Sequence, residues 1–86
     1  MKLYFHSQVR KQYQKLPIKV REKFDEKIAN FMRDEYDPVL NNHLLKGKYQ
    51  GYRSINITGD IRAVYKKISR DKAAFVTVGK HSRLYR

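Results

Sequence analysis

The run Arg53-Ser-Ile-Asn-Ile-Thr-Gly-Asp-Ile-Arg-Ala-Val-Tyr65 constrains this chain more than any other part of it. Arg53, Ile55 and Ile57 alternate with Ser54 and Asn56, the period of two that a half-buried strand requires. Thr58-Gly59-Asp60 follows as a turn that can use glycine's access to positive φ. Ile61 to Ile68 is then a second run rich in β-branched and aromatic residues. Arg53, Asn56, Asp60 and Arg62 recur where a purely structural hairpin takes Thr or Val. One side of this hairpin is therefore expected to be a working surface.

The preceding segments supply a covering layer. Lys2 to His6 reads as a short strand with Leu3 and Phe5 on one face and Tyr4 on the other. Ser7 is a good N-cap, after which Val9, Tyr13 and Leu16 keep helical spacing until Pro17. Val20, Phe24, Ile28 and Phe31, with Met32 alongside, make an apolar stripe, while Glu22, Lys23, Glu26 and Lys27 form a charged opposite face. This α-hairpin ends near Asp34 to Asp37, before Pro38. Val39 to Gln50 reads as loop, Ser69 to Lys72 as a second turn, and Ala73 to Val78 as an unbroken apolar strand that suits an interior position. The tail from Gly79 to Arg86 is polar, basic and aromatic. The expected fold is α+β over a single domain, residues 1–86. An N-terminal strand, an α-hairpin and an antiparallel three-strand meander (β-α-α-β-β-β) place two helices on one face and leave the other concave and basic.

Charge narrows the partners. Met1 to Leu45 holds nine basic and six acidic residues, whereas Lys46 to Arg86 holds eleven and two, so most of the +12 net charge lies in the second half. A polyanion, nucleic acid or ribosome, is the natural partner of such a field. With no cysteine, a disulfide framework and a zinc ribbon are both excluded. Met-Lys-Leu-Tyr-Phe-His carries no apolar leader core and no stretch approaches a membrane span, so we expect a cytoplasmic protein with no membrane partner.

Outside the predicted core, His43 precedes the hairpin, Asp60 sits in its turn, Arg62 lies on the second strand, and His81, Arg83 and Tyr85 are in the tail. Two histidines, a carboxylate and several cations are the parts of a metal-free ribonuclease. One group takes the proton of the ribose 2′-OH, another protonates the leaving 5′-oxygen, and cations stabilise charge on the phosphate. His6 ends a strand and reads as structural, and no histidine pair has i, i+4 or H-x-H spacing, so neither a metal nor another cofactor is expected. Tyr49, Tyr52 and Tyr85 can stack bases, Arg53 can clamp phosphate or edge the sheet, and Tyr65 fits under the helices.

Lys46-Gly-Lys-Tyr-Gln-Gly-Tyr-Arg53, Gly59-Asp-Ile-Arg-Ala-Val-Tyr65 and Val78-Gly-Lys-His-Ser-Arg-Leu-Tyr85, in that order, resemble the RelE/ParE superfamily of bacterial toxins. The nearest branch is the YafQ-like messenger-RNA endonucleases, and the resemblance spans essentially the whole chain. It implies a ribosome-dependent, metal-independent ribonuclease that cuts messenger RNA in the decoding site and is neutralised by a cognate antitoxin. Under that resemblance His43, Asp60, His81 and Tyr85 match catalytic positions, with His81 as general acid and His43 or Asp60 as base. Lys46, Arg53, Asn56, Arg62, Lys80 and Arg83 match or neighbour RNA-contacting positions. Arg62 fits the RelE-like pattern Gly-x-Tyr-Arg-x-Val-Tyr. Three departures from the YafQ-like pattern stand out: Asn56 replaces a histidine, Ile61 a tryptophan and Thr77 an arginine. A ParE-like gyrase inhibitor and a non-catalytic nucleic-acid-binding module are the alternatives, because both are compatible with the same fold.

Overall fold

The computed structural model describes residues 1–84. Lys2–Phe5 is β1, Ser7–Gln14 α1 and Ile18–Arg33 α2. His43–Leu44 is β2, Arg53–Asn56 β3, Ile61–Ser69 β4, Lys72–Lys80 β5, and His81–Leu84 a final helical turn, α3. The strands form one sheet in the order β1-β5-β4-β3-β2. The last four make an antiparallel meander, and β1 closes the other edge by pairing parallel with β5. The α+β arrangement and the meander match the expectation. The parallel β1–β5 pair makes the sheet mixed, because the meander's odd number of reversals returns β5 to the edge strand in β1's own direction.

Of the stripe predicted on α2, Phe24, Ile28 and Phe31 pack on the core, while Met32 is exposed. Phe24 and Phe31 are buried with Val9, Ile55, Ile57, Ala63, Tyr65, Ala73, Phe75 and Val78 beneath the helices. Phe31 stands edge-on to both Tyr65 (4.9 Å) and Phe75 (5.3 Å), and Phe75 stacks on Phe5 at 5.6 Å, so aromatic rings join α2 to three strands. No helix among the described residues is long and apolar enough to cross a membrane.

A register shift at Val76 decides which β5 side chains face where. Val64 pairs with Thr77 but Tyr65 with Phe75, so Val76 is an extra residue. Phe75 and Val78 can then both enter the core, while Val76 turns to the opposite face. β1 pairs only with Lys72 to Phe75. Beyond that point α1 takes over the edge of β5: Val78 N–H donates to Gln12 Oε1 (2.9 Å), and Gln12 Nε2 donates to Thr77 Oγ1 (3.0 Å).

Local readings needed correction in four places. His6, not Ser7, caps α1, its Nδ1 accepting from Gln8 N–H at 3.0 Å. Positive φ is used at Gly47 and Gly51, not at Gly59. The Thr58–Asp60 turn is instead closed by Thr58 Oγ1, which accepts from the N–H groups of Asp60 and Ile61. The segment read as loop contains β2, whose two residues are too few to show alternation. Finally, the face opposite the helices is not bare. Leu45, Val64 and Leu84 are buried on it, with Tyr49, Tyr52 and Val76 packed alongside. The glycine-rich loop and α3 fold onto part of that face because its apolar residues need cover.

Candidate functional site

Cross-strand register defines rows of side chains on the face away from α1 and α2. His43, Ser54, Val64 and Thr77 form one row across β2 to β5, and Asn56, Arg62 and Gly79 the next. One step further, His81 N–H donates to Asp60 O at 2.9 Å, which ties the start of α3 to the hairpin turn. Asn56, Asp60, Arg62 and His81 therefore belong to one end of one face, where the hairpin and α3 meet. His43 lies one row in on β2, three strand spacings of ~4.8 Å from β5, and Lys80, paired with Ile61, falls on the helix face.

His43 is exposed, and its Nδ1 lies 2.9 Å from Asn41 O. A carbonyl only accepts, so Nδ1 carries the proton and donates it; in the neutral ring, Nε2 is the free base, directed away from the protein. Asn41 turns its carbonyl there through a left-handed backbone (φ 46°), a conformation that asparagine tolerates better than most residues. Arg62 Nη1 donates to Thr58 O (3.0 Å) and Gly59 O (2.9 Å), bracing the turn that carries Asp60. Its remaining donors are left for a ligand. Arg83 is exposed on α3 at this end, whereas Lys46, exposed just past Leu45 whose N–H donates to Tyr52 O, lies towards the opposite end of the hairpin. Asn56 is half-buried; its Oδ1 is buried without a hydrogen-bond partner among the described residues. Among the described residues no cluster of three His, Cys, Asp or Glu is arranged to hold a metal ion. Tyr85 lies outside the described residues.

Arg53 stands apart from this end. It faces the helices, where its Nε donates to Asn42 Oδ1 (2.8 Å) and its guanidinium lies over the Tyr36 ring at 5.4 Å. It belongs to a buried polar network that sequence reasoning missed. Asn42 Nδ2 donates to Tyr65 OH (2.7 Å) and Glu35 O (3.0 Å); Tyr65 OH donates to Glu35 Oε2 (2.6 Å), and Lys67 pairs with the same carboxylate. Burial, together with the bond to the Glu35 carboxylate, pushes the Tyr65 hydroxyl far above the usual tyrosine range. The network pins the residue immediately before His43. Its only sequence signal was a tyrosine placed under the helices with a carboxylate just past the end of α2.

Comparison with known proteins gives this geometry a family. A YoeB/ParE toxin from Agrobacterium tumefaciens superposes with a TM-score of 0.77 at 27% identity, covering 94% of this chain and 99% of that one. YafQ from E. coli strain BL21(DE3) superposes at 0.76 with 17% identity over 99% and 98% of the two chains, which shows a shared fold. The toxin of the E. coli DinJ–YafQ toxin–antitoxin complex gives 0.73 at 20% identity, over 99% and 97%. No match was found among curated protein sequences. The sequence model described as the bacterial toxin of type II toxin–antitoxin systems, YafQ, matches residues 1–86 from end to end. With the fold and the match over its full length in agreement, the chain belongs to the YafQ family of bacterial toxins of type II toxin–antitoxin systems.

Proposed function

We propose that this toxin cleaves messenger RNA on the ribosome by metal-free acid–base catalysis. Family membership supports a ribosome-associated, metal-independent messenger-RNA-cleaving activity. The observation that carries the assignment of roles is the His43–Asn41 hydrogen bond, which leaves Nε2 of the neutral imidazole as a proton acceptor. His43 is the general base toward the ribose 2′-OH. His81, tied through its backbone to Asp60, is the general acid toward the leaving 5′-oxygen, and Asp60 orients that end of the face. Arg62, Lys46, Lys80 and Arg83 neutralise phosphate, Asn56 offers an amide to phosphate or 2′-OH, and Tyr85 orients the scissile nucleotide. Arg53 serves the site by fixing Asn42 rather than by touching RNA. An acidic cognate antitoxin covers the basic face; solved relatives include toxin–antitoxin complexes.

The test maps new messenger-RNA ends in a reconstituted translation reaction, with and without ribosomes. His81→Ala and His43→Ala should each lower single-turnover cleavage roughly 10²–10⁴-fold with little change in ribosome binding. Cleavage unchanged in both variants would overturn the roles. Wild-type protein that makes no cuts yet inhibits gyrase supercoiling would overturn the nuclease reading.

A further inference from the structure

A cleft opens on the same face, against β5 and three strands across from His43. Its volume is about 400 Å³, at the small end for ligand sites and suited to one nucleoside rather than a larger molecule. Tyr49 and Tyr52 form its aromatic wall, with ring centroids 5.9 Å apart and planes at 71°, so the pair makes a corner with one ring face and one ring edge. The opposite rim is polar. His6 Nδ1 accepts from Gln8 N–H, which puts the neutral ring's proton on Nε2 as a donor at the rim. Gln8 Nε2 donates to Thr77 Oγ1 at 3.3 Å, leaving its carbonyl oxygen to accept. Lys48 and Lys66 sit over the Tyr49 and Tyr52 rings at 5.5 Å, and among the described residues no carboxylate lines the cleft.

We propose that this cleft is a nucleobase-binding subsite that takes one unstacked base of single-stranded RNA. The base lies against the tyrosine corner, its edge meets His6 and Gln8, and Lys48 moves from the Tyr49 ring to the adjoining phosphate. Thr77 shares its row with His43 across three strand spacings of ~4.8 Å, so the subsite lies about 14 Å from the proposed base. It therefore holds a base flanking the scissile nucleotide, not the scissile one. This rests on the RNA-cleaving reading above and adds where the substrate is gripped.

The experiment measures binding of an uncleavable 2′-O-methyl RNA hexanucleotide to the full chain by fluorescence anisotropy, with one abasic residue moved along the strand. One abasic position should weaken binding by about fivefold or more, the lower end of what one stacked base contributes. Tyr52→Leu keeps apolar cover over Val64 and Val76, and His6→Asn keeps the helix cap; each should weaken the intact oligonucleotide and shrink the abasic penalty. A penalty of unchanged size in both variants, or none at any position, overturns the subsite. The same variants are titrated against vacant small ribosomal subunits; a loss seen only there overturns the substrate subsite and assigns the cleft to ribosomal RNA. Messenger cleavage by the wild-type protein is scored separately, so failure of the subsite and failure of the nuclease reading are distinguishable.

Discussion

Tyr65 brings its hydroxyl into the interior because partners meet it there: it donates to Glu35 and accepts from Asn42, with Lys67 balancing the carboxylate. Tyr65→Phe keeps the ring packing and strips out the hydroxyl, so it should cost about 1–3 kcal/mol in urea unfolding near neutral pH. The pH dependence has a definite sign. The folded-state value lies above the ordinary 10.0, so only the unfolded chain loses this proton as pH first passes 10. Stability from this group is fully present below pH 10 and declines as pH rises toward the folded value. Wild type minus Tyr65→Phe, followed from pH 8 to 11, should therefore shrink only above pH 10. At this scale the chain was partly legible. His43, Asp60, Arg62 and His81 were found as ionisable groups outside any apolar stripe. The partners of Arg53 were not legible, since alternation gives the face of a residue but not the polar partner waiting on it.

Elements read better than residues wherever a period was long enough to count. Sixteen residues of α2 and nine each of β4 and β5 impose recognisable spacing, and their boundaries fall close to the expected ones. The two residues of β2 and the four of α3 cannot, because both exist through tertiary partners: β3 for one, Leu45 and Val64 for the other. The bulge at Val76 was equally hidden, since an unbroken apolar run carries no phase to interrupt. Phe31 is the residue through which α2 reaches the sheet, fully buried against Tyr65 and Phe75. Phe31→Ala should lower unfolding free energy by about 3–5 kcal/mol in chemical denaturation, enough to leave a domain of this size marginal.

For the molecule as a whole, the uneven charge should make the proposed RNA binding salt-dependent. Each phosphate neutralised on single-stranded RNA contributes about 0.7 to the slope of log affinity against log salt concentration. Lys46→Ala should therefore flatten that slope by about 0.7, whereas Arg53→Ala should leave it unchanged and act on stability instead. A salt titration of oligonucleotide binding separates the two.

The amide of Gln12 also bears on how copies of this protein meet. β5 is nine residues long and β1 shields only the first four, so the rest of that border would be an open template for a foreign strand. Gln12 fills the gap, its Oε1 accepting a hydrogen bond from Val78 N–H. Gln12→Leu should cost about 1–3 kcal/mol and produce concentration-dependent association in light scattering, while Gln12→Glu, which retains an acceptor, should remain monodisperse. One glutamine thus closes the border that β1 leaves open, from the same helix that lends Gln8 to the proposed base subsite.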